Sequence, residues 1–189
     1  MQRRELLSAV AVSLGGCAAA PGAERTSQRE YTVDVTTGGG SEGYSIAFDV
    51  EYPNAEDVIA DLHLTIENTG DESVGVTAGP PAPFGILVAE AVDTANSITL
   101  WNEAYERSDG VETEGYTIGL VNRVGFTTGL RPGESVESTY SLRQDATTGD
   151  GIGELATGTY DLTGHDGEPF RVNGDPVDAQ LRVRSADSL

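Results

Sequence analysis

The chain has 189 residues, with 31 Asp and Glu against 11 Lys and Arg, a net charge of −20 at pH 7, and 38% apolar residues. The acidic excess is spread over the whole length and leaves nothing to neutralise a phosphate backbone, which excludes nucleic acid as a partner. It also excludes attraction to an anionic lipid surface, and the apolar fraction excludes an acidic disordered chain. Every basic residue is Arg. Like charges at this density oppose a compact state unless salt screens them, so the expected host is a salt-loving prokaryote.

Residues 1–17 read MQRRELLSAVAVSLGGC. Arg3 and Arg4 form a paired basic start. The apolar run at 6–14 is too short to span a bilayer, which needs ~20 residues. Gly15 and Gly16 lead into Cys17. This is the layout of a cleavable export signal, so residues 1–16 are expected to be a signal peptide outside the fold. Arg3-Arg4 followed by Glu5-Leu6-Leu7 resembles the twin-arginine export signal. Leu14-Gly15-Gly16-Cys17 resembles the lipobox of prokaryotic lipoproteins, which implies that Cys17 becomes the lipidated first residue. Cys17 is the only cysteine, so no intramolecular disulfide is open to the chain. Removing residues 1–16 takes Arg3, Arg4 and Glu5 and leaves 30 acidic and 9 basic side chains, a net charge of −21. Residues 17–30 are small and polar without an apolar period, and read as a flexible tether. The expected location is the extracellular face of the cytoplasmic membrane, with residues 31–189 held there as one domain by the lipid on Cys17.

Beyond the tether, Tyr31, Val33 and Val35 alternate, and a Gly/Ser/Thr loop follows. Residues 45–52 put Ile46, Phe48, Val50 and Tyr52 on one face. Residues 53–57 are a short connection with room for one helical turn. In residues 61–76, Leu62, Leu64 and Ile66 alternate with His63, Thr65 and Glu67, which predicts a strand with Leu64 inside and His63 outside. Asn68-Thr69-Gly70-Asp71-Glu72 supplies turn chemistry, with Gly70 able to take positive φ. Val74 and Val76 restart the alternation, and the prolines at 80, 81 and 83 end that strand.

Residues 85–93 and 97–101 read as two further strands. Residues 102–125 are the least regular part of the chain, and 126–130 is a short strand. Arg131-Pro132-Gly133-Glu134 is a tight turn, with Pro at its first corner and Gly at its second. Residues 135–142 form a strand with Val136, Tyr140 and Leu142 in phase. After a Gly/Thr/Asp loop at 144–154 come a strand at 158–163, a turn-rich loop at 165–176 and a closing strand at 179–184. No segment has a helical period. Eight or nine short strands separated by turn signals predict an all-β, immunoglobulin-like antiparallel sandwich.

Three of these pieces, in order, resemble the BsuPI-like intracellular proteinase inhibitor family: LTIENTGDESVGV within 62–76, LRPGESVESTYSL at 130–142 and GTYDL at 158–162. The family has a strand ending in Asn before a polar turn, a Leu-x-Pro-Gly-Glu turn before a later strand, and a Gly-x-Tyr start to a late strand. The resemblance runs from Asp61 to Leu162. It implies the sandwich fold and, as a second function, proteinase inhibition. It carries no inhibitory residue onto this chain, whose aromatic hairpin is poorly kept.

Chemistry leaves few candidates. His63 lies on the polar face of its strand, and His165 lies beside Asp166-Gly167 in a loop. Two distant histidines and no second cysteine make no zinc set. Ser108-Asp109 has no histidine base nearby. The acidic loop at 145–154 lacks EF-hand spacing and reads as solvated. No cofactor or metal site and no catalytic residue is assigned. Phe84, Trp101, Tyr105 and Tyr116 are candidate partner-binding aromatics, since aromatics on loops anchor partners; the alternative places Trp101 in the sandwich core. The sequence thus points to a non-enzymatic binding module on a lipid anchor, taking a protein or envelope ligand. A proteinase-inhibitor-like accessory protein is the second reading and an exported hydrolase the third.

Overall fold

The computed structural model describes residues 31–38, 42–55, 57–144, 147–148 and 155–186. Arg3, Arg4, Cys17, the signal peptide and the tether lie outside the described residues. Fifteen strands follow in order: β1 Tyr31–Thr37, β2 Tyr44–Glu51, β3 Val58–Asn68, β4 Val74–Ala78, β5 Leu87–Ala91, β6 Ser97–Leu100, β7 Val111–Glu114, β8 Thr117–Val121, β9 Phe126–Leu130, β10 Ser135–Arg143, β11 Thr147–Thr148, β12 Gly158–Gly164, β13 Arg171–Val172, β14 Asp175–Pro176 and β15 Ala179–Ser185. The fold is an all-β antiparallel sandwich. One layer is the six-stranded sheet β1-β15-β12-β5-β6-β11. The other is formed by the sheets β10-β3-β2 and β14-β13-β4-β9, and β7-β8 is a separate hairpin.

The expected strand periods place the core. On β3, Ala60, Leu62, Leu64 and Ile66 are fully buried, and the residues between them face outward. They join Val33, Leu87, Ala89, Leu100, Leu162, Leu181 and Val183 of the six-stranded sheet in one hydrophobic cluster. His63 is on the outer face as expected. It is tied down there, Nδ1 to Thr139 Oγ1 at 2.9 Å and Nε2 to Glu51 Oε2 at 3.4 Å.

β3 and β4 do not pair with each other. β3 pairs with β10, and β4 with β9, so 58–78 and 126–143 run side by side as one ribbon with a turn in each arm. Asn68 joins the two turns. It is fully buried, and its side-chain amide donates to Glu72 O at 2.7 Å and Leu130 O at 2.9 Å, while its Oδ1 accepts from Gly70 N at 3.0 Å. Its backbone N–H donates to Glu134 O, and its carbonyl accepts from Gly133 N. A strand that ends in Asn here meets five polar groups at one point, and the bond to the Leu130 carbonyl is a buried one that would be costly to leave unmade.

Gly133 takes φ +78° at the second corner of the tight turn, as expected. Gly70 does not take positive φ. Its missing side chain serves a close approach instead, because a Cβ there would lie 2.8 Å from the Gly43 Cα.

Three expectations differ from the structure. Among the described residues of 53–57 there is no helical turn. The irregular stretch 102–125 contains a 3-10 turn at Tyr105–Arg107 and the β7-β8 hairpin. The loop 165–176 contains β13 and β14, and β13 adds to β4. These strands are too short, or too exposed, to carry an apolar alternation.

Candidate functional site

The four candidate aromatics do not form a surface patch. Trp101 is 4% exposed and continues β6 through a bridge to Ser141, giving and receiving backbone hydrogen bonds at 2.8 and 2.7 Å. The Tyr105 ring meets it edge-on at 5.3 Å and the Tyr116 ring at 5.1 Å. Such edge contacts suit the aromatic quadrupole. Tyr105 is fully buried, and its hydroxyl donates to Leu100 O at 2.9 Å and accepts from Leu87 N at 3.3 Å. Half-buried Tyr116 lies 3.5 Å beneath the Arg143 guanidinium, which also pairs with Asp57. Phe84 is buried against Phe170 at 5.6 Å. Trp101 thus takes the core position that the sequence left open as its alternative.

Burial pushes the Tyr105 phenol well above the ordinary tyrosine value, reinforced by the Tyr140 phenol nearby and opposed by the bond from Leu87. Burial pushes Tyr140 up as well, and its hydroxyl donates to Gly85 O at 3.0 Å. These phenols are sealed, hydrogen-bonded structural groups.

The open site lies elsewhere. A groove of approximately 710 Å³ runs between the end of β4 with the proline loop after it, the segment from β8 to Gly125, and residues 164–171. Phe84, Ile86 and Phe170, all buried, contribute apolar surface to it. Leu120 and Val124 line it while 58% and 47% exposed, and Phe126, 44% exposed, follows directly at the start of β9. Three large apolar side chains left in water within one short stretch form the kind of patch that marks an interaction surface.

The charge pattern singles out the same place. Outside residues 6–23, the two longest stretches of the chain without Asp or Glu are 73–89 and 115–133. They pair through β4 and β9 and supply two of the three groove walls. In a molecule with net charge −20, these two walls carry no acid. The spacing of acidic residues along the sequence was the signal that could have found the site. Of the four candidate aromatics only Phe84 touches the groove, because Trp101, Tyr105 and Tyr116 are spent on the core.

The third wall holds His165, Asp166 and Glu168. All three are exposed. Asp166 accepts the Glu168 N–H at 3.2 Å, and Glu168 pairs with Arg171 at 3.3 Å. Both carboxylates are committed to their own turn. No group of three or more His, Cys, Asp or Glu able to hold a metal occurs among the described residues. Most of the acidic loop at 145–154 lies outside them.

A family model described as a domain of unknown function, DUF8130, matches residues 1–183, and the chain belongs to that family. No curated protein and no solved structure matches it.

Proposed function

We propose that the protein is a non-enzymatic binding module, displayed by a lipid on Cys17 at the outer face of the cytoplasmic membrane of a salt-adapted prokaryote, and that it takes a partner protein in the groove, against the two walls that carry no acid. The observation that carries this reading is the coincidence of two patterns at one place. Leu120, Val124 and Phe126 are exposed, and the walls beside them come from the two long acid-free stretches. A solvated acidic surface keeps molecules apart; a surface freed of charge and left apolar meets a partner.

The test is capture from native membranes kept in molar KCl, comparing the natural chain with Leu120→Asp and with Val92→Asp. Val92 is also a large exposed apolar residue, at 53%, but lies outside the groove. A discrete partner retained by the natural chain and by Val92→Asp but lost by Leu120→Asp is the expected result. Equal retention by both variants contradicts the assignment.

The inhibitor reading is supported by one feature, the run 122–127, exposed at every residue, which leaves β8 and enters the start of β9. Inhibition of an endopeptidase by the purified protein, lost on Arg123→Ala, would favour it. The hydrolase reading is supported by the presence of His165 with two carboxylates in the groove, and is opposed by their exposure and local pairing.

A further inference from the structure

We infer that the groove receives its partner as an extended polypeptide segment that adds to the free edge of β8 and carries an acidic side chain to Arg123. This rests on the groove being the partner site and names what enters it.

The edge strands differ in how they are protected. β1 carries Asp34, β2 carries Asp49 and Glu51, β7 carries Glu112 and Glu114, β10 carries Glu137, and β14 consists of Asp175 and Pro176. Charges and prolines at such positions prevent edge-to-edge pairing. Apart from the two-residue β11, only β8 (TIGLV) and β9 (FTTGL) are edge strands with neither. Of these two, β8 lines the groove, through Gly119, Leu120 and Val121. It pairs with β7 alone, so its other edge has no strand partner among the described residues. An unprotected edge beside an apolar groove is the arrangement used for strand addition, in which main-chain bonds give affinity and alternate side chains enter pockets.

Charge selects the segment. Arg107, Arg131, Arg143, Arg171 and Arg184 each lie within ion-pair distance of a carboxylate, and Arg182 stands across the ladder from Asp34. Arg123 is exposed in the groove wall, has no acidic partner among the described residues, and sits in the middle of the acid-free stretch 115–133. A guanidinium offers a planar fork of donors to a carboxylate. The incoming strand therefore carries Asp or Glu where it passes Arg123.

The experiment presents the detergent-solubilised full chain, in molar KCl, to a displayed library of random short peptides. The expected winners alternate β-branched or aromatic residues with polar ones and carry Asp or Glu near the centre. Their binding should fall about ten- to a hundredfold on Arg123→Ala, as expected for loss of a charge-assisted pair. N-methylation of alternate peptide amides in one register should abolish binding, and in the other register should spare it. Winners with no acidic preference, or tolerant of N-methylation in both registers, overturn strand addition; if Leu120→Asp still abolishes their binding, the groove reading stands. Winners indifferent to Leu120→Asp, or no winners, overturn both. Sedimentation showing a dimer that Leu120→Asp dissolves would assign the edge to a second copy of this chain, and the inference would fall.

Discussion

The aromatic cluster around Trp101 and the groove draw on the same irregular stretch of chain, yet they are built in opposite ways. In the cluster, Trp101 and Tyr105 are buried, the Tyr105 hydroxyl has both a donor and an acceptor partner, and Arg143 is sandwiched between Tyr116 and Asp57. In the groove, Leu120 and Val124 face water, with exposed Phe126 next to them in the chain, and Arg123 has no acidic partner among the described residues. Aromatic rings on a loop can close a core as readily as they can greet a ligand. What distinguishes the groove is that two of its three walls lack the acid found on the other faces.

That contrast can be pressed hardest with salt. At the net charge of −21 that remains without residues 1–16, the acidic faces repel over a Debye length of ~30 Å in dilute buffer and ~3 Å at molar salt. The thermal midpoint is expected to rise steeply across a KCl series, while partner capture at the groove persists into molar salt because apolar burial is not screened. A midpoint flat in salt would remove the salt-adapted host from the account.

The next effect separates the cluster from the groove by substitution. Trp101→Ala should cost ~3–5 kcal/mol in denaturant unfolding, the range for a large buried aromatic. Leu120→Asp should change stability by no more than ~0.5 kcal/mol, as for an exposed position. A reversal of these two costs would mean that the regions had been assigned the wrong way round.

Asn68→Ala tests the node beneath both turns. The partners at Glu72, Leu130 and Gly70 lose their hydrogen bonds together, and the one to Leu130 is buried, so a loss of ~1–3 kcal/mol is expected. Asn68→Asp should not rescue it, because the carboxylate replaces the donor that faces two carbonyls. Full rescue by Asp would show that the amide donor bonds do not matter.

The smallest effect is alkaline. The folded-state values of Tyr105 and Tyr140 are raised by burial, so the fold holds their protons more tightly than the unfolded chain does. Their contribution is complete below the unfolded value of about 10 and declines as pH rises above it, by up to ~1.4 kcal/mol per unit for each phenol. Tyrosinate absorbance should show these two ionising only as the near-ultraviolet circular dichroism of Trp101 collapses. Free ionisation in an intact fold would show that they are not sealed.

Much of the sandwich was legible in the sequence because its long strands alternate: Leu62, Leu64 and Ile66 on β3 and Tyr140 and Leu142 on β10 are buried at period two. The hairpin of β7 and β8 was not legible, since Thr117–Val121 is short and has no fully buried residue to mark an inner face. β13 was hidden because two residues cannot show a period, although Val172 is fully buried. Gly70 was read as a conformational glycine and is a close-contact glycine, a distinction that depends on where Gly43 lies. The groove is assembled from segments distant in sequence, and of the four candidate aromatics only Phe84 lines it. The spacing of Asp and Glu pointed to it.

The most direct test of the groove is hydrogen exchange on the full chain mixed with membranes of its host, compared with the same chain purified free of partners, both in molar KCl. Slower exchange in the membrane mixture at Thr117–Val121 and at residues 77–80, with β3 unchanged, is the result expected. Equal exchange in the two samples, or protection confined to the acid-bearing edges β1 and β2, would contradict the assignment of the groove.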